Sequence, residues 1–181
     1  STNLEAIARA IGMGTFSNPA LLMAMVLLAA GFGFKIAAVP FHMYLPDMYE
    51  GAPTPVVAFM AGAAELAGLA VLVRVFLLAM PGLQADWSLL FWVLAVLTMT
   101  IGNLVAIAQA NIKRMLAYST IAHMGYLLIG PVVGSQLGVA AVLFYSLVYA
   151  CMTIGAFGMV ILLARGTVQG DQIDDFTGLA Q

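Results

Sequence analysis

Residues 31–57 read GFGFKIAAVPFHMYLPDMYEGAPTPVV. The stretch begins as a glycine-rich apolar helix. It then carries Lys35, His42, Asp47 and Glu50 among the prolines 40, 46, 53 and 55. Pro40 removes a backbone donor and breaks the helical pattern. Phe41 to Tyr49 is expected to resume as a short helical piece before the turn Glu50-Gly51-Ala52-Pro53. A broken helix leaves backbone groups unpaired, and within a bilayer this is tolerated only inside protein or beside water. Discontinuous helices of this kind mark ion sites in transporters.

The surrounding composition demands a bilayer. Of 181 residues, 64% are hydrophobic and only 8% charged, and the mean hydropathy is +1.06. Soluble domains carry roughly 25% charged residues, so this chain cannot cover a water-facing surface. The expected class is an all-α membrane protein, a polytopic helical bundle with about five transmembrane helices, one broken at Pro40. The net charge of −2 and the absence of a basic tract argue against nucleic acid. The single cysteine, Cys151, sits in an apolar run and has no partner for an internal disulfide or a Cys/His metal site.

Working outward, residues 1–18 read as an external interfacial helix and loop. Thr2 and Glu5 have capping-box spacing, and Leu4, Ile7, Ala8 and Ile11 share a face. Asn18-Pro19 is a helix start. The bundle is expected over residues 19–164, with spans at about 19–39 (broken part 40–50), 54–79, 87–108, 115–133 and 139–164. Trp87 and Trp92 suit an aromatic belt. QANIKR (109–114) reads as a polar turn, and Pro131, Gly134, Ser135 and Gly138 mark a loop. Residues 165–181 form a cytoplasmic loop. Alternating spans put Lys113, Arg114 and Arg165 on one side and Arg9 on the other, so the Lys113 side is cytoplasmic and the N-terminus external. The start at Ser1 and the polar end suggest a piece of a longer membrane protein.

Ionisable groups within the spans cost roughly 2.5–3.5 kcal/mol on insertion scales, so each needs a partner, water or an interface. Lys35 is either an anchor at the end of its span or a buried amine whose charge is switched by a carboxylate. Glu65 lies mid-span without a basic residue three or four positions away, which makes Lys35 its candidate partner across two helices. His123, in YSTIAHMGY, is either a hydrogen-bonded core residue or a relay group. Ser119 and Tyr126 extend a polar stripe around it that suits a water chain. Arg74 reads as structural. His42 and Asp47 follow the helix break and are secondary candidates, as are Lys113 and Tyr126. Asn103 and the pair Tyr145/Tyr149 read as helix–helix hydrogen bonds. The polar groups together point to a proton path. Gly31-Phe32-Gly33 does not continue into a dinucleotide fingerprint, and Walker A, GxSxG and HExxH motifs are absent.

Three blocks carry a family resemblance. FKIAAVPFHMYLPDMYEGAPTPVVAF (34–59), ANIKRMLAYSTIAHMGYLLIG (110–130) and DDFTGL (174–179) resemble the antiporter-like membrane subunits of respiratory complex I. The resemblance implies about fourteen helices in two inverted repeats, with this chain covering helices seven to eleven. It implies proton translocation coupled to quinone reduction elsewhere in an NADH:quinone oxidoreductase, in a bacterial inner membrane. Flavin, iron–sulfur clusters and quinone would belong to other membrane and peripheral subunits, with no cofactor and no redox centre on this chain. Lys35 matches the family's helix-seven lysine and His123 the histidine after NIKR. One departure stands out: where the family has a lysine in a block like TASKIA, this chain has GAAELAG (62–68), placing Glu65 there. A mixed Lys35/Glu65/His123 relay is therefore expected. A cation/proton antiporter subunit and a structural subunit with a degenerate relay are the alternatives.

Overall fold

The computed structural model describes residues 3–14, 18–164 and 172–176. Helix α1 (Leu4–Gly12) is amphipathic and starts at Asn3, whose side chain accepts from the Ala6 amide. The cap is thus Asn3, one residue past the expected Thr2, which lies outside the described residues. Leu4, Ile7 and Ile11 pack against the bundle, beside the turn at residues 75–83.

Helix α2 (Asn18–Lys35) ends four residues before the expected Val39. At about 1.5 Å per residue it is about 27 Å long, marginally short for the hydrocarbon core. Its end is a Schellman motif built on alanine. The Ala38 amide donates to the Gly33 carbonyl at 2.8 Å and the Ala37 amide to Phe34 at 3.1 Å. Ala37 occupies the left-handed position, φ 54°, which glycine usually fills, at a cost of about 1–2 kcal/mol. The amides of residues 36–39 and 41 are all paired. Ile36 donates to Phe32 and Phe41 to Ala38. Val39 donates to the Thr98 hydroxyl of a distant helix at 3.0 Å. The exposed backbone that a broken helix threatens is thereby satisfied inside protein.

Helix α3 (Tyr44–Gly51) follows the break. One continuous rod, Thr54–Ala79, then comprises α4 (Thr54–Phe59), a π turn (Met60–Ala64), α5 (Glu65–Arg74) and a second π turn (Val75–Ala79). After a 3₁₀ turn (Pro81–Leu83) come α6 (Gln84–Ile107), α7 (Ile112–Val133) and α8 (Gln136–Leu163). Several starts are earlier than the sequence suggests because caps act upstream. Asn111 accepts from the Lys113 and Arg114 amides, so NIKR is mostly the first turn of α7. Ser135 caps α8 through the Gly138 amide. The α7–α8 loop is only Gly134-Ser135, with Gly134 at φ 65°, and Pro131 lies inside α7.

Among the described residues, four helices are long and apolar enough to cross a bilayer, and α2 is a shorter apolar helix. Leu137, Leu143, Phe144 and Leu147 of α8 all point outward, as expected where the solvent is lipid. The chain is an all-α membrane bundle. Helices α6 and α7 form its tightest pair, because Gly102 lies against the Ala122 backbone and Gly125 against Met99 and Ala95. Small residues permit that approach.

The core has two parts. One gathers Leu72, Phe76, Trp87 and Phe91 with Met25, Ala29 and Leu128. The other gathers Val39, Leu45, Tyr49, Val57, Ala61, Ala117, Ile121 and Phe157. Trp87 is fully buried, donates to the Met80 carbonyl at 2.9 Å and packs on Phe76 and Phe91. It belongs to the core and not to an aromatic belt. Trp92 is exposed on the outer face.

Candidate functional site: a polar seam through the bundle

The seam begins where the rod changes pitch. The Glu65 amide bonds the Met60 carbonyl, five residues back, so the π turn inserts one residue's worth of rotation, about 100°. It delivers Glu65 to the interior, where the side chain is 4% exposed. The Tyr49 hydroxyl of α3 donates to Glu65 Oε1 at 2.7 Å. Glu65 Oε2 is buried with no hydrogen-bond partner. π turns are frequent at functional sites.

From Tyr49 the polar groups continue across α7 and α8. The Thr120 hydroxyl interacts with Tyr49 and accepts from the Tyr149 hydroxyl at 2.9 Å. Thr120 in turn donates to the Leu116 carbonyl. The Tyr149 ring lies 5.0 Å, centroid to centroid, from His123. His123 Nδ1 and the Tyr145 hydroxyl are 2.7 Å apart. A cleft of about 250 Å³ between α7 and α8 is lined by Ser119, Thr120, His123, Tyr149 and Thr153, with Phe157 at its apolar wall. Further along, Tyr126 sits edge-on to His123 and accepts from Asn103 of α6 at 2.7 Å.

Lys35 stands apart from this line. Its stem crosses α5 at Gly68, where an added Cβ would meet Lys35 Cγ at 2.7 Å. Gly68 is one turn beyond Glu65, so the Lys35 stem reaches the same stretch of α5. Among the described residues, however, no ion pair within 4 Å joins them. Lys35 is exposed on the outside of this chain, not enclosed by it.

The secondary candidates divide. His42 is buried, with its ring edge-on to Tyr118. Lys113 is buried in the first turn of α7. Asp47 is exposed and, with Glu50, pairs with Arg114 at 2.7 and 2.6 Å. That pairing ties α3 to the start of α7 and is a clamp, not part of the seam. The Ile173 amide donates to Ala110, bringing the end of the described chain to the same edge. Arg74 is exposed beside Leu66 and Ser146. Among the described residues, no group of three His, Cys, Asp or Glu side chains is gathered to hold a metal ion.

Neither Tyr49 nor Thr120 stands out as a site residue in the sequence. Tyr49 lies four residues after Leu45 in YLPDMYEG, so it shares the buried face of α3. That spacing was the available signal. Nothing local marks the π turn that aims Glu65.

A broken helix is thus followed by a rod with a buried carboxyl, and the histidine helix α7 packs on α3 while α8 packs on the rod. The family described as "NADH:quinone oxidoreductase/Mrp antiporter, TM" matches residues 1–181, and the chain belongs to it. Among similar proteins is the NADH-quinone oxidoreductase subunit N of Trichlorobacter lovleyi, 52% identical over 92% of this chain and 34% of that protein. Subunit N of Coxiella burnetii is 46% identical over 99% of this chain and 37% of that protein. The chain spans about a third of the length of these curated relatives. A solved structure of respiratory complex I from Thermus thermophilus with bound Aureothin contains a similar chain (TM-score 0.68, 41% identity, 80% of this chain and 31% of that one). A chain of the Mrp complex from Dietzia shares the fold at TM-score 0.79 and 23% identity, over 91% of this chain and 30% of that one.

Proposed function

We propose that this chain forms part of a proton-translocating membrane subunit of a complex I-like NADH:quinone oxidoreductase in a bacterial inner membrane, with the Lys113 edge cytoplasmic. Protons pass through Lys35, Glu65 and His123, driven by quinone reduction in other subunits. Those subunits would carry the flavin, iron–sulfur clusters and quinone. The observation that carries the reading is Glu65. It is a carboxyl buried mid-bundle, aimed inward by a π turn, with one oxygen engaged by Tyr49 and the other unpartnered. Such a group is expensive to keep in a membrane interior, and ionisable groups retained there mark proton relays and ion pathways. Lys35 supplies the movable charge beside it, and its exposed position suits a carboxylate approaching from another helix.

The test is made on the protein purified from its native membrane. Flavin and iron–sulfur signals should co-purify with electron-donor-driven quinone reduction. In that assembly Lys35→Met should abolish most proton movement through this subunit while the complex remains assembled. Unchanged pumping in Lys35→Met would refute the reading. The family description also embraces Mrp antiporters, which keeps a cation/proton antiporter as the second reading. Sodium-dependent proton exchange in vesicles, without flavin or iron–sulfur co-purification, would select it.

A further inference from the structure

We propose that Tyr49, Thr120 and Tyr149 form a hydroxyl bridge that carries protons between Glu65 and His123, across α3, α7 and α8. The inference rests on the proton-translocating reading and specifies its inner route.

Glu65 and His123 lie on helices that the sequence cannot relate to each other. The structure joins them through groups that both donate and accept, as tyrosine and threonine hydroxyls do. Tyr49 is bonded to Glu65 Oε1 at 2.7 Å, Thr120 stands between Tyr49 and Tyr149, and Tyr149 stacks obliquely against His123 at 5.0 Å. The last interval is spanned by the cleft of about 250 Å³ that Ser119, Thr120, His123, Tyr149 and Thr153 line. Water takes about 30 Å³ per molecule and needs two to four polar partners, so the cleft has room and groups for a short water chain. His123 Nδ1 is engaged by Tyr145, which leaves Nε2 to exchange with the cleft.

The transfer balances without any further reactant. An imidazolium at His123 gives one proton to the cleft. Each hydroxyl accepts one proton and passes on its own, Thr120 turning its hydrogen from the Leu116 carbonyl toward Tyr49, and the Glu65 carboxylate gains one. The hydroxyls end as they began. The departure at position 65 fits this role: a carboxylate accepts from Tyr49, whereas an ammonium only donates. A purely structural network would leave its members satisfied, yet Glu65 Oε2 is buried and unpartnered.

The experiment uses the intact membrane assembly and reads protons moved per quinone reduced, with quinone reduction as the control for assembly. Tyr149→Phe and Thr120→Val, close in shape to the native residues, should lose as much pumping as Glu65→Gln. Thr120→Ser, which keeps the hydroxyl, should restore it, an outcome that a packing role alone does not produce. Wild-type pumping in a Thr120→Val/Tyr149→Phe double variant, with Glu65→Gln still defective, would overturn the bridge and leave the proton-translocating reading standing. Wild-type pumping in both Glu65→Gln and Lys35→Met would overturn the two together. If Tyr149→Phe prevents assembly, the Thr120→Ser/Thr120→Val pair decides by itself.

Discussion

The rod Thr54–Ala79 contains two π turns, and they end in opposite surroundings. The second, Val75–Ala79, runs into Met80, whose carbonyl is taken by the Trp87 indole. Phe76 meets Trp87 and Phe91 edge to face there, and Trp87 lies tilted against Phe91. The first, Met60–Ala64, delivers Glu65 to Tyr49 and leaves a carboxyl oxygen unpaired. One backbone device thus serves packing at one end of the rod and, at the middle, the placing of a buried carboxyl on the proposed proton path. Stability should reside in the aromatic end and function in the seam, and each can be disturbed with little effect on the other.

The largest stability effect is expected from Trp87→Ala. It removes a fully buried ring and its hydrogen bond, and comparable truncations cost about 3–5 kcal/mol. Thermal unfolding of the detergent-solubilised protein should show a large drop. A fall no greater than that caused by changes in the seam would undo the division between the two ends.

Thr98→Val comes next. It leaves the Val39 amide buried without its acceptor, a loss of about 1–3 kcal/mol. Thr98→Ser should retain most of the stability. If valine and serine behave alike by thermal unfolding, the break at Pro40 is not held by that hydrogen bond.

Arg114→Gln tests the clamp on α3. The arginine and its partners are partly exposed, so the expected loss is about 0.2–1 kcal/mol. Limited proteolysis between α3 and α4 should accelerate, and high salt should bring the wild type toward the variant, because exposed pairs are screened. A salt-insensitive protein would mean that apolar contacts alone dock α3.

Much of this fold is legible in the sequence because a bilayer imposes long apolar runs that punctuation residues separate. The break at Pro40 and the helical bundle follow from hydropathy, proline and glycine. The exact ends do not, since Asn111 and Ser135 cap helices upstream of the apolar stretch and α2 stops early on an alanine in a left-handed conformation. Glu65 and His123 are conspicuous as ionisable groups in apolar helices. What they touch is not, because Tyr49, Thr120 and Tyr149 come from three helices whose relative rotation is set by packing and by one π turn. Trp87 misleads for the same reason: a tryptophan near a span end suits the interface until Met80, Phe76 and Phe91 enclose it.

The smallest stability change should come from the seam itself, in the double variant Tyr49→Phe/Glu65→Met. Either single change leaves a polar partner stranded. The double change removes donor and acceptor together and substitutes apolar groups of similar shape, which is nearly neutral or stabilising for a buried pair. It also relieves the buried, unpartnered Glu65 Oε2. The Thr120–Tyr149 bond is left in place. Thermal unfolding should therefore resemble the wild type or exceed it, while protons moved per quinone reduced should fall as they do in Glu65→Gln. A protein whose stability collapsed with this pair would place the Tyr49–Glu65 contact among the supports of the fold, alongside Trp87. A protein that was stable and still pumped would remove Glu65 from the path. Stability retained with pumping lost is the outcome that separates the two π turns, because it shows the first maintained for the proton and the second for the fold.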